Sequence, residues 1–205
     1  VRGRPRSKST GSLYEVFNTP GDNSFTIPAG VDSITITAIG GGGGGGDGKD
    51  TRGVGSTGSG AGSGAKVIVT FTEVQPYTVI DLVIGSGGQT NDVTSCAGAE
   101  PLQNGGSSTF KYLGVGYTAG GGCGGGPNGC PNATGGTSRV ATGGTDATLQ
   151  FGNTGHNSSA NTPFGLGGNG LTGPNGLTYG EGGSGGSNTN GLSGGTGAHG
   201  VIIIS

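Results

Sequence analysis

The sequence contains no methionine and no tryptophan, and only 10% of its 205 residues are charged. Hydrophobic residues make up 28% of the chain and aromatic residues 5%, and it has no apolar run of about 20 residues, the length that spans a membrane as a helix. An apolar core alone cannot offset an ordering cost of about 1.5 kcal/mol per residue over this length. The low charge is equally untypical of disordered tracts. The composition therefore favours neither an ordinary globular domain nor a solvated tract.

Glycine takes the place of the scarce hydrophobic and charged residues. It supplies 55 of the 205 residues, about four times its ordinary share. Because each interior glycine disfavours an α-helix by about 1 kcal/mol, long helices are excluded. The spacing is not a strict Gly-X-Y repeat, and no longer repeat recurs, so neither collagen nor a solenoid is predicted. The glycine-rich segments are residues 40–46 (seven consecutive glycines), 53–64, 119–126, 135–144 and 165–200.

Short strands separate these segments. They are predicted by alternating apolar residues or by brief apolar runs, and they lie at 13–17, 24–27, 33–39, 66–72, 76–84, 109–113 and 201–204. The last of them is apolar at every position, which indicates a buried central strand. We expect a small antiparallel sheet that anchors the glycine segments.

The glycine segments are expected to pack side by side as polyglycine II helices. Such a helix is left-handed, has three residues per turn and makes no internal hydrogen bond, so its N–H and C=O groups must bond to neighbouring helices. Close approach requires residues without a Cβ atom, and Ser, Ala, Thr and Asn are expected only on outward faces. The predicted fold is mostly β and irregular, with no long α-helix. The alternative is that these segments are flexible spacers.

Three stretches carry a family resemblance, and they occur in the expected order. They are FTIPAGV at 25–31 followed by the seven glycines, YTVIDLVIGSGG at 77–88, and GAHGVIII at 197–204. Together they resemble a glycine-rich domain of bacteriophage tail fibres, other virion surface proteins and bacterial surface proteins. The resemblance covers residues 24–205 and implies sandwiches of polyglycine II helices, whose exposed loops contact the host receptor in phage adhesins.

The charge is divided unevenly along the chain. Residues 9–205 hold five cations and eleven acids, a net charge of 5 − 11 = −6. We predict an N-terminal arm and docking strand at 1–23 and a glycine-rich domain at 24–205. The arm is expected to dock on an acidic neighbouring subunit, with entry into the minor groove of DNA, as an AT-hook does, as the alternative. Its cations are Arg2, Arg4, Arg6 and Lys8.

The three cysteines allow one predicted disulfide. Cys123 and Cys130 bracket the flexible loop GGGPNG, which would let them form a bridge. The alternative is reduced, buried thiols, because a third cysteine, Cys96, makes the number odd. No metal site is predicted, since there is no Cys-x-x-Cys pair and the two histidines are far apart in the sequence.

No catalytic residue and no cofactor are predicted, so the chain is not expected to be an enzyme. Its carboxylates are scattered, and its glycine runs are not followed by the Lys-Ser or Lys-Thr of a phosphate-binding loop. If an initiator methionine was removed before Val1, no signal peptide would precede the chain, which favours a phage product. A processed fragment is the alternative.

The sequence therefore predicts a structural and attachment protein of a virion, placed on a tail fibre, baseplate or capsid surface. Residues 1–39 would face the particle and other virion proteins, and the chain would form a homo-oligomer without a membrane span. Loops at 90–107, 127–134 and 156–164 would face a host receptor, either a glycan or an outer-membrane protein. The predicted contact residues are Tyr117, His156, Phe164 and Tyr179.

Two other functions are open at this point. The first is a subunit of a bacterial or archaeal extracellular filament, or a surface adhesin, assembled when the N-terminal segment pairs with a neighbour's sheet edge. The second is an ice-binding protein, which ranks last because the threonines have no regular spacing.

Overall fold

The computed structural model describes residues 13–46, 58–90, 104–126, 138–140, 146–155, 168–174, 176–184 and 194–205. This part of the chain contains twelve β-strands and no α-helix, which confirms the predicted mostly β fold. The strands are β1 (Glu15–Phe17), β2 (Gly21–Thr26), β3 (Ser33–Ile39), β4 (Lys66–Thr72), β5 (Val79–Ile84), β6 (Ser108–Tyr112), β7 (Val115–Ala119), β8 (Ser138–Val140), β9 (Thr148–Gln150), β10 (Leu171–Thr172), β11 (Thr178–Tyr179) and β12 (Val201–Ile204).

The strands form two five-stranded antiparallel sheets and a separate hairpin. Sheet A has the order β1-β12-β3-β4-β9, sheet B has the order β2-β5-β6-β7-β8, and β10 pairs with β11. Strand β12 lies between β1 and β3, and all four of its residues are buried, as expected for a central strand. The sheet region is larger than the small sheet expected, because β7 to β11 carry too few apolar residues to be recognised in the sequence.

The core lies between the two sheets. Alternate residues of β3, β4 and β5 point inward, so the apolar faces predicted from the sequence are the buried faces. A second, smaller cluster lies on the outer face of sheet A, where the β10–β11 hairpin covers Ile39, Val201 and Ile203. The sandwich is therefore held together by side chains, as in an ordinary β domain.

The strands continue directly into extended glycine-rich segments, which we call rods. Strands β3, β5 and β7 lead into rods, and other rods lead into β4, β6 and β12. The sandwich therefore sets the position and direction of most rods. Within the described residues the rods are 40–46, 58–65, 85–90, 104–107, 120–126, 151–155, 168–170, 180–184 and 194–200.

Hydrogen bonds between the rods repeat every three residues. The amides of Gly40, Gly43 and Gly46 donate to carbonyls of rod 58–65, at 3.0, 3.0 and 3.1 Å. The acceptors, Ala65, Gly62 and Ser59, are also three residues apart and run in the opposite direction. Amides of Gly42 and Gly45 donate to another rod, 194–200. Three residues per turn is the period of the polyproline II conformation, so the rods are polyglycine II helices, as predicted.

The rod of residues 40–46, which we call the central rod, has six neighbouring rods. Its backbone bonds to rods 58–65, 85–90, 104–107, 120–126, 180–184 and 194–200. All seven of its glycines are buried, and a Cβ atom at any of them would lie closer than 3.0 Å to backbone atoms of another rod. Only glycine fits at such positions, which explains why the longest glycine run occurs here.

Polar side chains complete the hydrogen bonds where the lattice of rods ends. The Ser108 hydroxyl donates to the Ile39 carbonyl at 2.7 Å and accepts from the Gly85 amide at 3.1 Å. His199 Nδ1 accepts from the Gly87 amide at 2.8 Å, and Asn104 Oδ1 accepts from the Gly124 amide at 2.9 Å. These contacts satisfy backbone groups that would otherwise lose a partner at the edge of the bundle.

One expectation about small residues is wrong. Ser59, Ala61, Ser63 and Ala65 alternate with glycine in rod 58–65, yet all four are buried. Their side chains do not face solvent; the serines instead bond to backbone, for example Ser63 Oγ, which accepts from the Asn153 amide at 2.7 Å. A buried rod therefore accepts a small side chain wherever the neighbouring rods leave room for it.

Candidate interaction surfaces

The described chain has two opposite ends, which we call the sheet end and the tip. Strand β12 runs away from the rods, and β1 pairs with it in the antiparallel sense, Glu15 opposite Ile204. The Ser205 carbonyl accepts from the Thr35 amide near the start of β3, at 2.6 Å. The first and last described residues, 13 and 205, are therefore both at the sheet end.

The tip is the far end of the bundle. Gly46 bonds to Ser59, and Gly45 bonds to Gly195, which in turn bonds to Ser184, so these rod termini lie at one level. The described chain breaks off at 46, 90, 155 and 184 and resumes at 58, 104, 168 and 194. The gaps 46–58 and 184–194 thus begin and end at the tip, whereas residue 104 follows the gap at the level of Gly42, nearer the sheet end. Predicted loops 127–134 and 156–164 lie outside the described residues.

The predicted loop at 90–107 needs correction at its C-terminal end. Residues 104–107 form a rod, in which the Gly105 amide donates to Gly122 and the Gly106 amide donates to Ser86. The sequence QNGGSS gave no sign of this, because a short rod has the same composition as a loop. A groove of about 330 Å³ lies between this rod and rod 120–126. Its lining includes Ser107, Thr118 and Cys123.

Tyr117, predicted as a receptor contact, is part of the core. It is only 5% exposed, stacks on Phe110 at a centroid distance of 4.7 Å, and meets Phe71 edge-on at 5.7 Å. Burial raises the pKa of its hydroxyl, and the negative charge of Asp146 raises it further. A receptor cannot reach this ring, so we do not retain it as a contact. Its position in β7 was missed because the strand contains a glycine.

Tyr179 is half-buried in β11. It packs against Ile39, Val201 and Ile203 on the outer face of sheet A and lies opposite Leu171 in the hairpin. Its ring therefore helps to fix the hairpin on the sheet. The other two predicted contacts, His156 and Phe164, lie outside the described residues, and their roles stay predictions.

Two further predictions fall wholly or partly outside the described residues. The first is the docking arm, whose cations Arg2, Arg4, Arg6 and Lys8 all lie outside the described residues. The second is the disulfide: Cys123 is half-buried in rod 120–126, but Cys130 lies outside the described residues. The pairing of these cysteines therefore stays a prediction.

A rim of exposed apolar side chains lies at the sheet end. Tyr77 is 73% exposed, Leu113 66% and Val79 54%. Strand β5 pairs with β6 so that Asp81 is opposite Lys111. Val79 begins β5 and Leu113 directly follows β6, so both lie at this end of sheet B. Tyr77 and Leu113 have positive φ angles of 65° and 47°, unusual for non-glycine residues. The sequence contained one signal, the Leu113-Gly114 pair between two strands, which resembles a tight hairpin turn.

The described residues hold no group of three or more His, Cys, Asp or Glu side chains placed to bind a metal ion. In the same part of the chain, no helix is long and apolar enough to cross a membrane.

A β-sandwich that continues into a lattice of glycine-rich rods defines a glycine-rich domain. The chain matches the glycine-rich domain family over residues 18–205, about nine-tenths of its length, and it belongs to that family. No curated protein matches the chain.

Proposed function

We propose that the chain is a structural and attachment protein of a virion, without enzymatic activity, that holds its tip loops against a host surface. The observation that supports this proposal is the separation of the two ends. The first and last described residues lie at the sheet end, whereas the described ends of the gaps 46–58 and 184–194 lie at the tip. This separation suits a protein that is anchored at one end and makes contacts at the other.

The bundle between the two ends is suited to bearing load. A rod of seven residues extends roughly 20 Å at about 3.1 Å per residue. The central rod is bonded on six sides, so bending it would break several hydrogen bonds at once. The support itself would therefore lose little further freedom on binding, which favours affinity.

The proposed partners differ at the two ends. At the sheet end, the arm with Arg2, Arg4, Arg6 and Lys8 would bind other virion proteins in a homo-oligomeric assembly. At the tip, the segments that contain His156 and Phe164 would meet a glycan or an outer-membrane protein of the host. The proposed location is the virion surface.

Replacement of the tip segments tests this proposal. Residues 156–164 would be exchanged for a Gly/Ser segment of equal length, and binding of the purified protein to candidate host cells would be measured beside the melting temperature. We expect binding to be lost and the melting temperature to change little, because both flanking rods are retained. A Ser86→Ala variant, altered on an exposed rod position, is the control. Unchanged binding after replacement of every tip segment would refute the assignment.

A subunit of an extracellular filament or a cell-surface adhesin is the second candidate, because a two-ended molecule also suits a filament that presents loops outward. An electron micrograph of the native assembly distinguishes the candidates directly. Particles with protruding domains support the virion, and long fibres attached to cells support the filament.

A further inference from the structure

We propose that β1 is exchanged between copies of this chain, so that residues 13–17 of one copy complete sheet A of the next by pairing with its β12. The partner is a second copy of this chain, and the surface that receives it is the outer edge of β12. This pairing is the contact by which the filament candidate would assemble, but it is tested on the purified protein and would also hold in a virion.

Strand β12 needs a neighbour on this edge. Its residues Val201 to Ile204 are all 0% exposed, and Ile202 and Ile204 belong to the main core. Without β1, the backbone of this strand and the side chains beneath it would meet water. An uncovered edge of this kind readily pairs with a strand from another chain.

Strand β1 is weakly tied to its own copy. It has only three paired residues, and Glu15 and Val16 are exposed. What holds it in place is the packing of Leu13 and Phe17 against the core, including an edge-on contact of Phe17 with Phe25 at 6.5 Å. All of these contacts are made to other strands, so β1 of a neighbouring copy would reproduce every one of them.

The connection from β1 to β2 is short for a segment that joins two different sheets. Between Phe17 and Gly21 the chain crosses from sheet A to sheet B and reverses its direction relative to the rods. The faces of packed sheets are about 10 Å apart, and four residue steps reach about 14 Å when fully extended. Pro20 has a restricted φ, and Gly21 takes a φ of +112°. Short hinges of this kind favour exchange of the strand that they connect.

A cross-linking experiment detects the exchange directly. Val16 is opposite Ile203 in the register of β1 and β12, so Val16→Cys and Ile203→Cys would be placed on separate chains. Both chains would carry serine at 96, 123 and 130, and they would be mixed at high concentration under mild oxidation. The control mixture carries Thr35→Cys and Thr70→Cys on separate chains, a pair that is directly opposite in β3 and β4 with hydroxyls 3.0 Å apart.

Exchange predicts a disulfide between the two chains for the 16/203 mixture and none for the 35/70 mixture, because β3 and β4 cannot part without unfolding. The double variant with both Val16→Cys and Ile203→Cys in one chain, oxidised in dilute solution before it is concentrated, locks β1 in place and should remain monomeric. If the 16/203 mixture gives no more cross-link than the 35/70 mixture, β1 stays within its own copy and the proposal is overturned.

The length of the hinge provides a second test that needs no cysteine. Insertion of Gly-Ser-Gly between Thr19 and Pro20 relaxes the crossing and favours pairing within one chain. We expect the dimer fraction in light scattering to fall about fivefold, the effect of roughly 1 kcal/mol. A dimer fraction that is the same with and without the insertion, or no dimer in either protein at high concentration, would contradict the exchange.

Discussion

Replacing one glycine in the central rod by alanine should unfold the bundle far more readily than the same replacement at its margin. A Cβ atom at Gly43 would meet the Cys123 carbonyl and the Gly124 amide of rod 120–126 closer than 3.0 Å. Because these are backbone atoms, no side chain can rotate to make room. The rod itself must move away.

The cost follows from the bonds that hold this rod. The amides of Gly122 and Gly125 donate to the central rod, both at 2.8 Å. A broken bond that leaves a buried polar group without a partner costs about 1–3 kcal/mol, so two such losses give roughly 2–6 kcal/mol. Alanine returns about 0.4–1 kcal/mol by restricting the unfolded chain. We expect Gly43→Ala to lower the free energy of unfolding by about 2–5 kcal/mol, a large part of the usual 5–15 kcal/mol.

Gly195→Ala is the matched control. The nearest atom to a Cβ there is the Ser184 hydroxyl at 2.9 Å, which can rotate away. The Ser184 amide nitrogen at 3.1 Å requires only a small shift at a half-exposed position. Urea unfolding followed by circular dichroism measures both variants. A change of 1 kcal/mol shifts the melting temperature by roughly 2–4 °C in a chain of this size, so Gly43→Ala should melt roughly 5–20 °C lower. If both variants were equally stable, the rods would not be packed as described.

Three further predictions follow from single side chains. Ser108→Ala removes a buried hydroxyl that bonds to both Ile39 and Gly85, and we expect a loss of about 2–4 kcal/mol in urea unfolding; a loss below that of Ser86→Ala would contradict the role. Leu113→Asn places a preferred residue at a turn position with a φ of 47°, and it should stabilise the protein by about 1 kcal/mol in the same assay. Burial and Asp146 raise the pKa of Tyr117, so the folded state favours the protonated ring. That contribution is fully present below the unfolded pKa of about 10 and is lost as the pH rises through the folded pKa. Stability measured between about pH 9 and 12 should fall less in Tyr117→Phe, and equal falls would refute the assignment.

The strands that the sequence revealed are those with strong side-chain patterns. Residues 33–39 and 66–72 alternate cleanly, and the predicted bounds agree with β3 and β4. Residues 201–204 are apolar throughout and form β12. Such patterns are visible because burial on one or both faces selects a side chain at each position.

The strands that escaped prediction lack such patterns. Strand β7 contains Gly116, and β9 has the exposed residues Thr148 to Gln150. Their pairing is fixed by neighbours far away in the sequence, β6 for the first and β4 for the second. The wrong prediction for Tyr117 has the same cause. Because β7 is not recognised as a strand, its tyrosine is taken for an exposed loop residue.

The conformation of the rods could be predicted, but their arrangement could not. A run of glycines indicates that backbones approach closely, and this is a local property of the sequence. Which rods meet depends on the order of the strands that feed them, a property of the whole sandwich. The hydroxyl of Ser108 and the imidazole of His199 show the difference, because each caps a rod distant in sequence.

The proportion of glycine in a rod nevertheless indicates how many other rods surround it. The central rod has six neighbours and is glycine at every position, because a Cβ atom would collide in every direction. Rod 58–65 lies beside it and accepts Ser or Ala at every second residue from Ser59 to Ala65, since room remains between its neighbours. Rod 85–90 places Ser86 and Gln89 at exposed positions. Close backbone contact on every side thus requires glycine at every position. The longest uninterrupted glycine run therefore identifies the rod at the centre of the bundle.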